Sequence, residues 1–128
     1  MKLRRDLLYV DSNVFLYPVI YEPETVEEAR ESKDFLLKIS EGSVEACTAT
    51  ITWDEVVWVV RKISGSKPSI ELGRRFLEFP NLKLLNVKRS VVLRAQRLME
   101  KYKIKPRDAI HAATALEKGI ETLSLIHI

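Results

Sequence analysis

Three carboxylates stand at positions where an α/β chain can use them together. Asp11 closes a short apolar run, Glu55 falls in the first turn after a second candidate strand, and Asp108 falls in the first turn of the last helix. Ligands of open α/β sheets sit at the carboxyl ends of the strands. Carboxylate oxygens converging there form a hard site suited to Mg²⁺ or Mn²⁺, and two such ions can clamp a phosphodiester during in-line attack by water. Each acid also has a structural reading. Asp11 can cap a helix, Glu55 can be the reciprocal half of a capping box, and Asp108 can complement a helix dipole. Spacing alone does not decide between the two readings. Asp54 adjoins Glu55 but points about 100° around the helix, and is read as surface.

The elements that must position these acids alternate along the chain. Leu7-Leu8-Tyr9-Val10 has no helical period and reads as a buried strand. A short helix is predicted from Asn13 to about Tyr17, broken by Pro18. A second runs from about Glu24 to Ser40 and stops at Gly42. Val44 to Thr50 is a strand, and Thr52-Trp53-Asp54-Glu55 then matches a capping box ahead of the apolar run Val56–Val60, read as a buried helix. Ser64-Gly65-Ser66 is a loop, with a helix from Pro68 to Phe79 beyond it. Leu82 to Val87 is a strand, Lys88 to Tyr102 a helix, and Lys105-Pro106-Arg107-Asp108 opens the last helix, which ends at Gly119. Ile120 to Leu125 is a fourth strand. Strands alternating with helices indicate a parallel α/β sheet.

The chain has 128 residues, 46% hydrophobic and 30% charged, which is one soluble domain with a real core. One cysteine, Cys47, excludes an internal disulfide and favours a reducing, cytoplasmic setting. No run reaches the roughly 18 apolar residues of a membrane span. The net charge of +3 is unevenly spread. Residues 22–55 hold ten acids and three bases, whereas residues 83–107 hold nine bases and one acid, Glu100. Such a basic stretch reads either as a solvated helix face or as a polyanion-binding surface.

Local sequence goes further than spacing. Tyr9-Val10-Asp11-Ser12-Asn13-Val14-Phe15-Leu16-Tyr17, Thr48-Ala49-Thr50-Ile51-Thr52-Trp53-Asp54-Glu55-Val56 and Arg107-Asp108-Ala109-Ile110-His111-Ala112-Ala113-Thr114-Ala115-Leu116 resemble, in order, the three motifs of PIN-domain nucleases, and most closely those of the VapC-type toxin branch. The resemblance implies a three-layer α/β/α sandwich around a mainly parallel sheet, and a metal-dependent endoribonuclease. It makes Asp11, Glu55 and Asp108 metal ligands for Mg²⁺ or Mn²⁺. Ser12 and Asn13 would orient Asp11 or a bound water, and Thr50 would support the site by donating a hydrogen bond to a carboxylate. Lys101, Lys103, Lys105 and Arg107 are candidates for RNA phosphates, which need charge more than geometry. The implied partners are an RNA substrate, a second copy of the chain and a small antitoxin.

The family pattern ordinarily continues into an acidic motif, roughly T-x-D-x-D-F, that completes the metal site. Here Leu123-Ser124-Leu125-Ile126-His127-Ile128 carries no carboxylate and matches the translation of a transposon-end sequencing adaptor, CTG TCT CTT ATA CAC ATC, so it reads either as adaptor sequence or as a natural divergent terminus. The expectation is native sequence to about Thr122, with the last elements of the sandwich missing and weak or absent nuclease activity.

Other candidates are weaker. His111 shares a helix face with Asp108 and is expected to be packed, or to donate to a carboxylate near the metal. Trp53 and Trp58 are expected in the core or at a subunit interface. No zinc motif, Ser-His-Asp signature or glycine-rich phosphate loop is visible. Two other functional classes stay open. One is a catalytically dead PIN-like module that binds RNA or protein. The other is a phosphohydrolase or receiver-type domain using Asp11, which is disfavoured because Asp11-Ser12-Asn13 lacks a second acid.

Overall fold

A computed structural model describes residues 7–120 and the backbone of 125–126. The elements run β1 (Leu7–Val10), α1 (Ser12–Ile20), α2 (Glu27–Ser40), β2 (Glu45–Ala49), α3 (Ile51–Ser64), α4 (Ser66–Leu77), β3 (Leu82–Leu85), α5 (Arg89–Lys101), α6 (Pro106–Glu117) and β4 (Leu125–Ile126). Residues 121–124 of the expected fourth strand, and Leu123, Ser124, His127 and Ile128 of the tail, lie outside the described residues.

The four strands form one sheet in the order β3-β2-β1-β4, and every pairing is parallel. Tyr9 is level with Cys47, and Thr48 with Leu84. Side chains alternate between the faces with period two. Val10 and Ala46 point into a core formed with Val14, Phe15 and Leu16 of α1, Ile39 of α2, Val56 and Val60 of α3, and Phe76 of α4. Leu7, Tyr9, Cys47 and Ala49 form a second cluster with Ile120, against which Ala115 of α6 packs. α5 and α6 share a third cluster, Val91, Ala95, Ala109 and Ala113. The architecture is thus the expected α/β/α sandwich, with α1–α4 on one side of the sheet and α5–α6 on the other.

Two local expectations are corrected. Helix α1 continues through Pro18 to Ile20. Proline removes one backbone donor and normally breaks a helix interior. Here the burial of Val14, Phe15 and Leu16 holds the helix on the sheet, and the Tyr21 N–H closes its end on the Tyr17 carbonyl. The second concerns the tryptophans. Trp53 and Trp58 are 40% and 49% exposed, so neither is core. The buried stripe of α3 is Thr52, Val56 and Val60, and the indoles lie off it.

Trp53 does have a structural contact. A Cβ at Gly73 of α4 would meet its Nε1 at 2.9 Å and a Val57 methyl at 3.0 Å, so glycine permits α3 and α4 to approach. The two helices are joined by Gly65, whose φ of 94° favours a residue without a side chain.

A buried hydroxyl pair ties the strands to α3. Thr48 Oγ1 donates to the Val10 carbonyl at 2.8 Å and lies 2.7 Å from Thr52 Oγ1. Both threonines are fully buried, and the accepting carbonyl immediately precedes Asp11. Thr48→Val keeps the shape but removes this bond and takes its partner from the buried Thr52 hydroxyl, and is expected to cost about 1–3 kcal/mol, read as a lower urea midpoint at unchanged slope.

Candidate active site

Asp11 follows β1 as the residue capping α1, with extended backbone at φ −72° and ψ 152°. Its side chain makes no capping hydrogen bond, so the helix-cap reading does not account for it. It is half-buried, Ser12 is buried and Asn13 is exposed.

Glu55 sits one turn into α3. The capping box expected around it does not form. The helix starts at Ile51 with Thr50 in the capping position, in helical backbone and without a side-chain cap bond. Thr52 instead turns its hydroxyl inward to Thr48. Glu55 Oε1 accepts a hydrogen bond across the end of the sheet, from His111 Nε2 on α6 at 2.6 Å. The two side chains are only 15% and 11% exposed, which sets this pair apart from a surface ion pair.

The chain of contacts has a third member. The Tyr9 hydroxyl of β1 lies 2.5 Å from His111 Nδ1, with the rings edge to face at a centroid distance of 5.7 Å. Burial raises the Tyr9 phenol well above its ordinary pKa. Tyr9, His111 and Glu55 therefore link β1, α6 and α3 at the carboxyl end of β1. His111 does both things expected of it: it is packed, and it meets a carboxylate. Tyr9 was missed by sequence reasoning. The available signal was a polar-tipped residue in an otherwise aliphatic strand, since a buried tyrosine hydroxyl finds a partner.

A second bridge runs parallel to this one. Arg107 lies four residues before His111 on α6, and its Nη2 donates to Asp54 Oδ2 at 3.4 Å. Asp54 is exposed, as expected, and so is Arg107. Arg107 is thus shared between an exposed pair and its suggested phosphate role. Lys101, Lys103 and Lys105 are exposed along the connection from α5 into α6, with Lys101 Nζ 5.5 Å from the centre of the Tyr102 ring. They flank Asp108, itself exposed in the first turn of α6. Thr50 is half-buried and its backbone N–H donates to the Leu85 carbonyl. Among the described residues no hydrogen bond joins Ser12, Asn13 or Thr50 to the three acids.

The donor chemistry fits a hard divalent cation, being carboxylate oxygen throughout. Among the described residues, however, no three His, Cys, Asp or Glu side chains are grouped so as to hold one. Among the three acids themselves, the one that the described residues tie to another motif through its side chain is Glu55, through His111.

Tyr9 also gives a stability signature. Its raised pKa means that the folded chain keeps a proton the unfolded chain releases above about pH 10. Its contribution is complete below that pH and is lost as pH rises beyond it. Tyr9→Phe is expected to be less stable at neutral pH, and to show a shallower alkaline decline in melting temperature than the wild type.

Similarity to known proteins agrees with the fold. No significant match to a curated protein was found. Among solved structures, a toxin–antitoxin complex from Klebsiella pneumoniae aligns with a TM-score of 0.63 at 24% identity, covering 94% of this chain and 84% of that one. Mycobacterium tuberculosis VapC20, a sarcin–ricin-loop-cleaving toxin, aligns with a TM-score of 0.68 at 13% identity, covering 88% and 84%. VapBC2 from Rickettsia felis, bound to a promoter DNA fragment, aligns at 0.65 and 13% identity, covering 89% and 83%. At these identities the likeness is one of fold. The PIN domain family itself matches residues 8–125, nearly the whole chain and all three acidic motifs, and the chain belongs to that family.

Proposed function

We propose that the chain is a divalent-cation-dependent endoribonuclease, with Asp11, Glu55 and Asp108 as the carboxylates for Mg²⁺ or Mn²⁺. The observation that carries this reading is the bond between Glu55 and His111, which draws the second and third motifs together at the end of the strand that Asp11 closes. A bound divalent cation supplies an activated water and offsets charge on the phosphodiester. The protein's own groups supply the rest. Lys101, Lys103 and Lys105 bind and orient RNA phosphates beside Asp108, and Arg107 joins them on leaving Asp54. Ser12, Asn13 and Thr50 support the acids.

The fold shared with VapC20 and with toxin–antitoxin complexes supports a toxin role, with a small antitoxin protein and a second copy of the chain as partners. Apolar side chains on α3 and α4, Trp58, Ile63, Ile70 and Leu77, are about half exposed or more, which supports protein-covered surface there. No helix among the described residues is long and apolar enough to cross a membrane. The single cysteine, Cys47, supports a reducing, cytoplasmic setting.

A second reading, a PIN-like module that binds RNA or protein without cutting, is favoured by the lack of a three-ligand group among the described residues. Asp11→Asn separates the two. For the nuclease, cleavage of a structured RNA at millimolar Mn²⁺ is expected to fall at least ~100-fold, with circular dichroism unchanged. Equal cleavage by variant and wild type, or cleavage that persists in a chelator, would refute the nuclease reading. RNA affinity without cleavage in both proteins would establish the binding module.

A further inference from the structure

Glu55 is held by more than its own helix. Its backbone belongs to α3, yet its Oε1 is bonded to an imidazole carried by α6, and that imidazole is bonded in turn to a hydroxyl carried by β1. A glutamate has three side-chain torsions, and an exposed one would sample many rotamers. Here the carboxylate is tethered at one oxygen, and the tether is itself tethered at its other ring nitrogen.

The direction of the hydrogen bonds follows from the groups. A tyrosine hydroxyl carries its proton at neutral pH, and that of Tyr9 lies 2.5 Å from His111 Nδ1. Its own proton is therefore available to His111 Nδ1. A neutral imidazole accepts at one nitrogen and donates from the other. If Nδ1 accepts, Nε2 carries the proton, and Nε2 is the atom facing Glu55.

We propose that His111 is a positioning residue for Glu55: the Tyr9 hydroxyl fixes its ring in the Nε2–H tautomer, and Nε2–H donates to Oε1 and sets which way the carboxylate faces. This deepens the ribonuclease reading and rests on it for its effect on cleavage. The two ties hold the donor from opposite sides, through β1 of the sheet and through α6 of the outer layer. His111 touches neither the RNA nor the reacting atoms in this role. It acts through Glu55, as hydrogen-bond partners of ligating carboxylates commonly do.

The test uses the full 128-residue chain in two arms. In the first, long-range proton–nitrogen NMR of the imidazoles reads the tautomer. The expected wild-type result is His111 with its proton on Nε2 alone, a mixture of tautomers in Tyr9→Phe, and a displaced Nε2 resonance in Glu55→Gln. A wild-type ring protonated on Nδ1, or on both nitrogens, overturns the proposal. In the second arm, RNA cleavage is measured for His111→Leu and His111→Gln. His111→Leu is expected to lose about 10–100-fold in kcat with KM for RNA little changed. His111→Gln, which retains an N–H donor of similar reach, is expected to recover most of that loss. Wild-type kcat in His111→Leu, or equal losses in two variants that melt like the wild type, overturns the proposal. Should His111→Leu fail to fold, His111→Gln and the tautomer spectrum decide. Should the wild-type chain cleave no RNA, the ribonuclease reading fails, and the tether stands or falls on the first arm.

Discussion

A parallel sheet has no face to give to water, and the rest of this structure follows from that constraint. Each strand must place apolar residues on both sides, as Leu7 and Tyr9 do toward one layer and Val10 toward the other. Each strand must also be followed by a crossover that returns the chain to the same starting edge. Every carboxyl end therefore emerges along one rim of the sheet. Asp11 and the start of α3 come directly after β1 and β2, so the acids of the first two motifs reach that rim through the topology itself.

Tyr9 is the point at which this constraint meets chemistry. Its ring satisfies the apolar face, but its hydroxyl cannot be buried alone without the cost of an unmet polar group. His111 meets that requirement on one side and Glu55 uses the other side of the same ring. The polar groups at the rim thus form a continuous chain from strand to helix to helix, in a setting where an isolated buried polar group would be unfavourable. The Thr48 and Thr52 hydroxyls play the same part on the opposite face, tying β2 and α3 to the carbonyl just before Asp11.

The layering also gives the uneven charge a spatial meaning. The acidic helix α2 belongs to one outer layer, and the basic helix α5 with the lysine-rich connection belongs to the other. The basic connection leads into Asp108. Charge is thereby divided unevenly between the two layers, and the basic connection adjoins Asp108. Arg107 and Asp54 bridge the two layers at the surface, where solvent screening keeps such a pair weak.

Much of this was legible in the residues. Alternating apolar runs and helical stripes gave the order of elements, and the three motifs gave the family, because both depend on patterns local to the chain. Local rules failed where a distant contact outweighed them. Pro18 should have ended α1, but packing of Val14, Phe15 and Leu16 carried the helix on to Ile20. Thr52 should have capped α3, but a buried partner on β2 took its hydroxyl. Trp53 and Trp58 were expected in the core or at a subunit interface, and helical phase left them off the buried stripe of α3. The sequence by itself determined the fold class and the family. Only the tertiary structure decided that Glu55 answers to His111 and Tyr9. His111 lies 56 residues from Glu55 and 102 from Tyr9 along the chain, and no local pattern records a hydrogen bond made by bringing three separate elements to one rim.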